Sequence, residues 1–432
     1  MFSRRNLLRW LGSGSIAMYP ILRAGIAVAQ AVIEGSVPVR ALTKGPRFHW
    51  FGYYDKWQFD PSDRYILGNE VSFEGRTPQE SDTIRVGMVD TDDGDRWIDL
   101  GETHAWCWQQ GCMLQWLPGS NSEVIWNDRE GDSYVARILD IKTRKSRTIP
   151  VPIYAINPSG TAAVHADFSR VHDTRPGYGY AGIPDPRPGV LAPDDSGVWR
   201  VDLATGLQTM LHSFAEVGAF DDGISKPAGH KQWINHMLWS PSGKKFCFLH
   251  RWELPKPNGD INGPFGTRLI TADADGSNLY VLDPYGQTSH FYWRDDDHIL
   301  AWSWHPSYGD GFYLYEDRTR NVEPMGRGVM DENGHCTYLP GNHWILNDTY
   351  QDLEDYQHPY LYQLATGKKY PLGDFRSPPE YHDEFRCDTH PRHSRDGRKV
   401  VIDSPHGGNG RQMYLLDISG IVGGWSARNK NT

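Results

Sequence analysis

An all-β, seven-bladed β-propeller in a single domain is the fold this sequence predicts, and three observations predict it. The first is a recurring motif: four histidines, His236, His290, His335 and His390, open the segments HMLWSPSG, HFYWRDDD, HCTYLPGN and HPRHSRDG. Each runs through a large residue into a polar tight turn, and an apolar strand such as KKFCFL or KVVID follows. The four are spaced 54, 45 and 55 residues apart, the period of a propeller blade. The second is a matching set of seven later strands, most ending in a turn with Asp or Gly: VGMVDTDDG, VARILDIKT, VWRVDLATG, LITADADG, FYLYEDRT, YLYQLATG and MYLLDISG. Apolar–polar alternation between Gly, Asp, Asn and Pro turns is a strand pattern. The third is composition. With 45 Gly, 29 Pro, 22 Tyr and 17 Trp in 432 residues, the chain is turn-rich and aromatic-rich, and a propeller of that length is one closed unit.

The elements follow in chain order. Residues 1–31 read as a twin-arginine export signal: Ser3-Arg4-Arg5-Asn6-Leu7-Leu8, a modestly apolar segment, then the small-residue site Ala29-Gln30-Ala31. A short membrane anchor is the other reading of that segment. The expected location is periplasmic or secreted, with no other apolar run long enough to span a bilayer. Residues 32–432 form the propeller, in which SVPVRAL supplies the outer strand of the last blade and closes the ring. Three repeats carry another residue in the histidine slot: Lys56 in KWQFDPSD, Met113 in MLQWLPGS and Ile153 in IYAINPSG. An 83-residue gap to His236 holds the longest insertion, DFSRVHDTRPGYGYAGIPDPRPG, and a loop of that length in a compact domain is more often functional than idle. Residues after Gly420 read as a frayed tail.

Residues equivalent by repeat occupy equivalent points around the axis, so imidazoles from four neighbouring blades converge there. Convergent histidines suit a metal or a proton-transfer site, although a single repeat-position histidine is usually structural. Five cysteines, an odd number, leave at least one unpaired. Cys387, three residues before His390, is either a ligand or a buried free thiol. Loops joining second and third strands open on the same face as the histidines and carry Arg76, Arg251, His305, Tyr350 and His406. The insertion adds Arg170, His172, Arg175, Tyr178 and Tyr180, where the two tyrosines either serve the site or pack the loop. A formal charge of −10 argues against nucleic acid as a partner. No carboxylate pair has spacing that by itself argues for glycoside hydrolysis.

The strings HWFGYYDKWQFDP, WQQGCMLQWLPG, RPGYGYAG, NGHCTYLP, WILNDTY and RCDTHPR resemble propeller-type polysaccharide lyases, the ulvan lyases and more distantly the oligogalacturonate lyases. The resemblance spans nearly all of the mature chain. It implies an exported lyase that cleaves an acidic, uronate-containing polysaccharide or oligosaccharide by β-elimination. It also implies a divalent metal held by His335, His390, Cys387 in place of a glutamine, and His290 from the adjacent blade. A thiolate in that set favours zinc, with manganese the alternative. His236 then faces substrate or displaces His290 as ligand. Arg175 or Arg251 would neutralise the uronate carboxylate, and Tyr178, Tyr180 or His236 would move the protons at C5 and O4. The resemblance also places histidines in or just after blade two, where this chain has GCMLQWLPG and EVIWNDREG. His104, Asn127 and Asp128 are the nearest substitutes. A non-catalytic propeller that binds glycan or protein is therefore the alternative, and a metal-dependent hydrolase a third reading.

Overall fold

The computed structural model describes residues 37–254 and 264–426, so the export signal expected over residues 1–31 lies outside the described residues. Seven four-stranded antiparallel sheets follow one another around an axis. Blade one comprises 48–50, 65–71, 84–90 and 96–103, and blade four comprises 232–239, 245–253, 265–273 and 280–283. In blade seven the outer strand is Val39–Ala41, paired antiparallel with Tyr414–Leu416. The start of the described chain thus closes the ring, as the SVPVRAL segment predicts. No helix among the described residues is long and apolar enough to cross a membrane.

The repeat has a physical cause at two levels. Three residues after the histidine slot, Trp116, Trp239 and Trp293 donate Nε1–H to the carbonyls of Gln58, Ala155 and Leu238 in the preceding blade. Each acceptor lies two residues after its own blade's slot, so the inner strands are stitched to one another by buried indoles that satisfy their one polar group. At the outer turns, Asp140 accepts from the backbone of Lys142 and Thr143, and Asp202 from Ala204 and Thr205. The turn then closes with Arg144, Gly206 or Gly367 in the left-handed region, at φ 59°, 74° and 67°. Between blades, both faces of each sheet are covered by apolar side chains, so the cores lie blade against blade.

Inner strands are broken where they enter from the site face. Met113, His236 and His390, all slot residues, have φ of 57°, 50° and 39°. Left-handed backbone at non-glycine residues costs roughly 1–2 kcal/mol apiece, and here it turns the slot side chain out of the strand direction. Blade one uses a glycine for the same purpose. Gly52 sits at φ 118°, and a Cβ there would lie 2.7 Å from the backbone of Gln110. The chain bends at this point and sends Tyr53 and Tyr54 into the axis.

Candidate active site at the propeller axis

The four histidines do meet. The rings of His290 and His335, and of His335 and His390, lie 4.2 Å apart centroid to centroid. His236 sits one blade away, against Tyr53 at 4.9 Å and Tyr54 at 5.6 Å. Tyr54 is the hub, with its ring 5.3–6.4 Å from all four imidazoles.

Each imidazole is held differently. His335 Nδ1 donates to Asp348 at 2.9 Å, and its backbone N–H reaches the same carboxylate at 2.7 Å. Thr389 Oγ1 donates to the other oxygen of Asp348 at 2.5 Å. The proton is thereby fixed on Nδ1 and the Nε2 lone pair is left for a ligand, the arrangement of a carboxylate-supported metal histidine. His290 Nδ1 donates to Asn333 Oδ1 at 3.0 Å, which frees its Nε2, 3.4 Å from the Tyr350 hydroxyl. His390 Nε2 is buried without a hydrogen-bond partner in the protein. Burial drives the pKa of His236, His290 and His390 well below 6.5, with neighbouring positive charges adding to the effect. These rings are neutral, as ligands and bases must be.

Among the described residues, one set of potential donor atoms lies mutually within 4.8 Å: His335, Asp388 and His390. This alters the expected ligand set. Cys387 is outside it; its buried thiol is pushed up by desolvation and lies in the field of Arg411, Asp403 and Glu74. Asp388, the next residue, supplies the third donor, while His290 falls outside the mutual spacing although its ring touches that of His335. The preference for zinc rested on the Cys387 thiolate, and with a carboxylate in its place that preference is withdrawn. Two imidazoles and a carboxylate suit a divalent first-row cation, manganese included. All five cysteines are buried free thiols.

Opposite this cluster is a cationic wall. Arg251 is buried, its Nε has no partner in the protein, and burial beside Arg175 pushes its pKa down to about 9. Arg175 also has an unpartnered Nε and stands over the rings of Tyr178 and Phe265 at 4.5 and 4.6 Å. Among the described residues neither arginine pairs with a carboxylate. Two adjacent guanidinium groups with no counter-ion among the described residues are chemically suited to an anion. Tyr178 accepts from Arg386 at 3.4 Å, and Arg386 also pairs with Asp388 at 3.2 Å, tying the tyrosine to the candidate metal cluster.

Several expected residues are elsewhere. Tyr180 is fully buried between blades two and three, stacked on Phe168 at 4.3 Å and accepting from Asn127. It packs the insertion, so its expected role at the site is corrected to a structural one. Arg170 is also structural, pairing with Asp185 and donating to the carbonyls of Gln232, Val190 and Leu191. Arg76 pairs with Asp82. The blade-two substitutes do not reach the axis: His104 contacts Thr83, Asn127 holds the backbone of Ile153, and Asp128 pairs with Arg137. A cavity of about 340 Å³ lies on the flank beside Trp97 and His49, with none of the axial residues in its lining.

Sequence reasoning passed over Tyr53, Tyr54, Asp348, Arg386 and Asp388. All five fall in strings that carry the family resemblance or next to a slot histidine, but nothing in their residue type or spacing marks them.

No family model matches the sequence, and no curated protein does. Solved structures do match in fold. An oligogalacturonate lyase in complex with manganese and an oligogalacturonate lyase from Vibrio parahaemolyticus each align over 88% of this chain and 93% of their own. Both have a TM-score of 0.61 at 14% identity. The tricorn protease aligns over 87% of this chain and 34% of its own, with a TM-score of 0.51 at 12% identity. The chain is a seven-bladed propeller related in fold to these lyases, with a histidine–carboxylate cluster on its axis.

Proposed function

We propose that this protein is an exported polysaccharide lyase that cleaves a uronate-containing polysaccharide by β-elimination. The observation that carries the reading is the Arg175–Arg251 pair, which among the described residues pairs with no carboxylate, facing tyrosines and a metal-competent histidine cluster across one axial site. β-Elimination needs positive charge on the uronate carboxylate, because the C5 proton is too weakly acidic until that charge is neutralised. Arg251 and Arg175 supply it where water is excluded and the interaction is strong. The phenol of Tyr53, 3.5 Å from His236 Nδ1, faces the sugar and passes the C5 proton to the neutral imidazole behind it. Tyr178, held by Arg175 and Arg386, delivers a proton to the departing O4. His335, Asp388 and His390 would hold a divalent cation, manganese in our reading, with His290 beside them. When bound, such a cation supplies Lewis-acid stabilisation of negative charge developing on the uronate.

The test is ultraviolet absorbance during incubation with polygalacturonate, ulvan, alginate and glucuronan in the presence of manganese, because elimination creates a conjugated unsaturated uronate. Tyr178→Phe should lower kcat on the active substrate by about 10²–10⁴-fold, the usual worth of a positioned acid or base. Tyr180→Phe should retain it. A flat trace across the panel, with manganese bound, would overturn the lyase. One observation favours the glycan-binding alternative: blade two fills its slot with the buried Met113 instead of a histidine.

A further inference from the structure

Blade five carries an aromatic shelf that the axial chemistry does not use. It is built on the connection between the strands His298–His305 and Gly309–Glu316. His305 stacks on Tyr308 at 5.1 Å, and its ring lies 5.3 Å from Tyr285 and 5.8 Å from Tyr313. Trp304 meets Tyr285 edge-on at 6.1 Å. Arg327 spans the assembly, its guanidinium 5.7 Å from the rings of both Tyr308 and Tyr313.

The shelf is held rigid. Arg327 donates to the Tyr308 carbonyl at 2.6 Å and to the Tyr313 hydroxyl at 2.9 Å, and Tyr313 in turn donates to the Gly309 carbonyl at 2.5 Å. Even so, Tyr308 leaves 45% of its surface in solvent. A large ring fixed in place and left open is placed to receive a ligand. Arg327 is exposed and pairs with no carboxylate among the described residues; the nearby acids are Asp310 and the buried Asp283, whose charges reach Tyr313, with Asp283 also reaching His305.

We propose that this shelf is a distal subsite for a further residue of an acidic polysaccharide chain, stacking one pyranose on Tyr308 and pairing its carboxylate with Arg327. The inference rests on the lyase reading and narrows it to a polymer-acting enzyme. Two placements support it. The connection lies at the same end of blade five as His290, since Trp302 N–H donates to the His290 carbonyl and the strand runs on from there to His305. Blade five also stands between blade four, which supplies Arg251, and blade six, which supplies Tyr350. A chain with one uronate at the arginine pair that extends outward across blade five therefore meets the shelf. A pyranose presents a C–H face that complements an open aromatic ring, and a uronate adds the charge that matches a guanidinium with no carboxylate partner among the described residues.

The experiment pairs gel retardation by polygalacturonate and by ulvan with kinetics on polymer and on the matching disaccharide, using full-length mature protein and Tyr308→Ala. Loss of one stacking contact should weaken polymer retardation and raise the polymer KM about three- to tenfold. Turnover of the disaccharide should stay within twofold of wild type. Unchanged retardation and unchanged polymer KM in both Tyr308→Ala and Arg327→Ala would overturn the shelf while leaving the lyase intact. If wild type cleaves nothing but is retarded, and Tyr308→Ala loses the retardation, the shelf stands and the lyase reading falls.

Discussion

Replacing Asp348, Asp388 and Cys387 one at a time separates direct metal ligands from their supports and from bystanders. Asp388→Asn exchanges the only anionic donor of the three-residue cluster for a neutral amide oxygen and should lower manganese affinity by about 100-fold, the upper end of what even supporting groups are worth. Asp348→Asn is subtler. One oxygen of Asp348 accepts from the backbone and Nδ1 of His335, the other from Thr389. An asparagine can keep its oxygen toward His335 and turn its amide toward the Thr389 hydroxyl, which then accepts. Geometry survives and the carboxylate charge behind His335 is lost. The expected cost is about tenfold, or about 1.4 kcal/mol. Cys387→Ser should change affinity by less than about twofold, because the buried thiol lies in the field of Arg411 and Glu74. Isothermal titration of manganese into chelator-stripped protein reads all three, with circular dichroism confirming the fold. A loss in Cys387→Ser as large as that in Asp388→Asn would refute the reasoning, as would full affinity in Asp388→Asn.

Acid sensitivity and one turn give further predictions. His236 and His250 are buried and neutral, their pKa held well below 6.5 by desolvation and, for His250, by the Arg268 guanidinium that donates to its Nδ1. The unfolded chain takes up protons as pH falls through about 6.5 and the folded chain does not, so stability is full above that pH and declines below it. The slope is about 1.4 kcal/mol per pH unit for each ring; urea midpoints at pH 7.5, 6 and 5 should fall steadily, and a flat series would contradict the assignment. Gly206→Ala should destabilise by about 1–2 kcal/mol through left-handed strain, increased because the new Cβ would lie 2.6 Å from Pro150. A urea midpoint equal to wild type would show that the turn relaxes.

The fold was legible because a propeller writes its geometry periodically. Trp116, Trp239 and Trp293 recur three residues after the slot since each must donate to the neighbouring inner strand. Asp140 and Asp202 recur because each caps the same turn. Ring closure by the first strand was read from SVPVRAL ahead of blade one, and Val39–Ala41 does pair with the last blade. What the period does not convey is how the inner strand begins. The left-handed backbone at His236 and His390 is a tertiary effect, carried by residues that normally avoid it.

That local break also explains what was missed at the site. A strict repeat assigns one slot residue per blade, which in blade one is Lys56. The bend at Gly52 instead brings in Tyr53 and Tyr54, while Lys56 Nζ lies buried against Asp55 at 2.8 Å. Spacing likewise favours Cys387 because it stands a regular three residues before His390, yet the chain turns so that Asp388 joins the histidines and the thiol does not. The two arginines were found by residue type and loop position alone. Only burial reveals why they matter: of the insertion's cations, Arg170 is fully spent on Asp185 and four carbonyls, whereas Arg175 keeps an unpartnered Nε beside Arg251, whose Nε is also unpartnered. A cation already satisfied inside the fold has no charge to offer a substrate. The pair whose Nε atoms are left without a partner among the described residues is where our reading puts the anion.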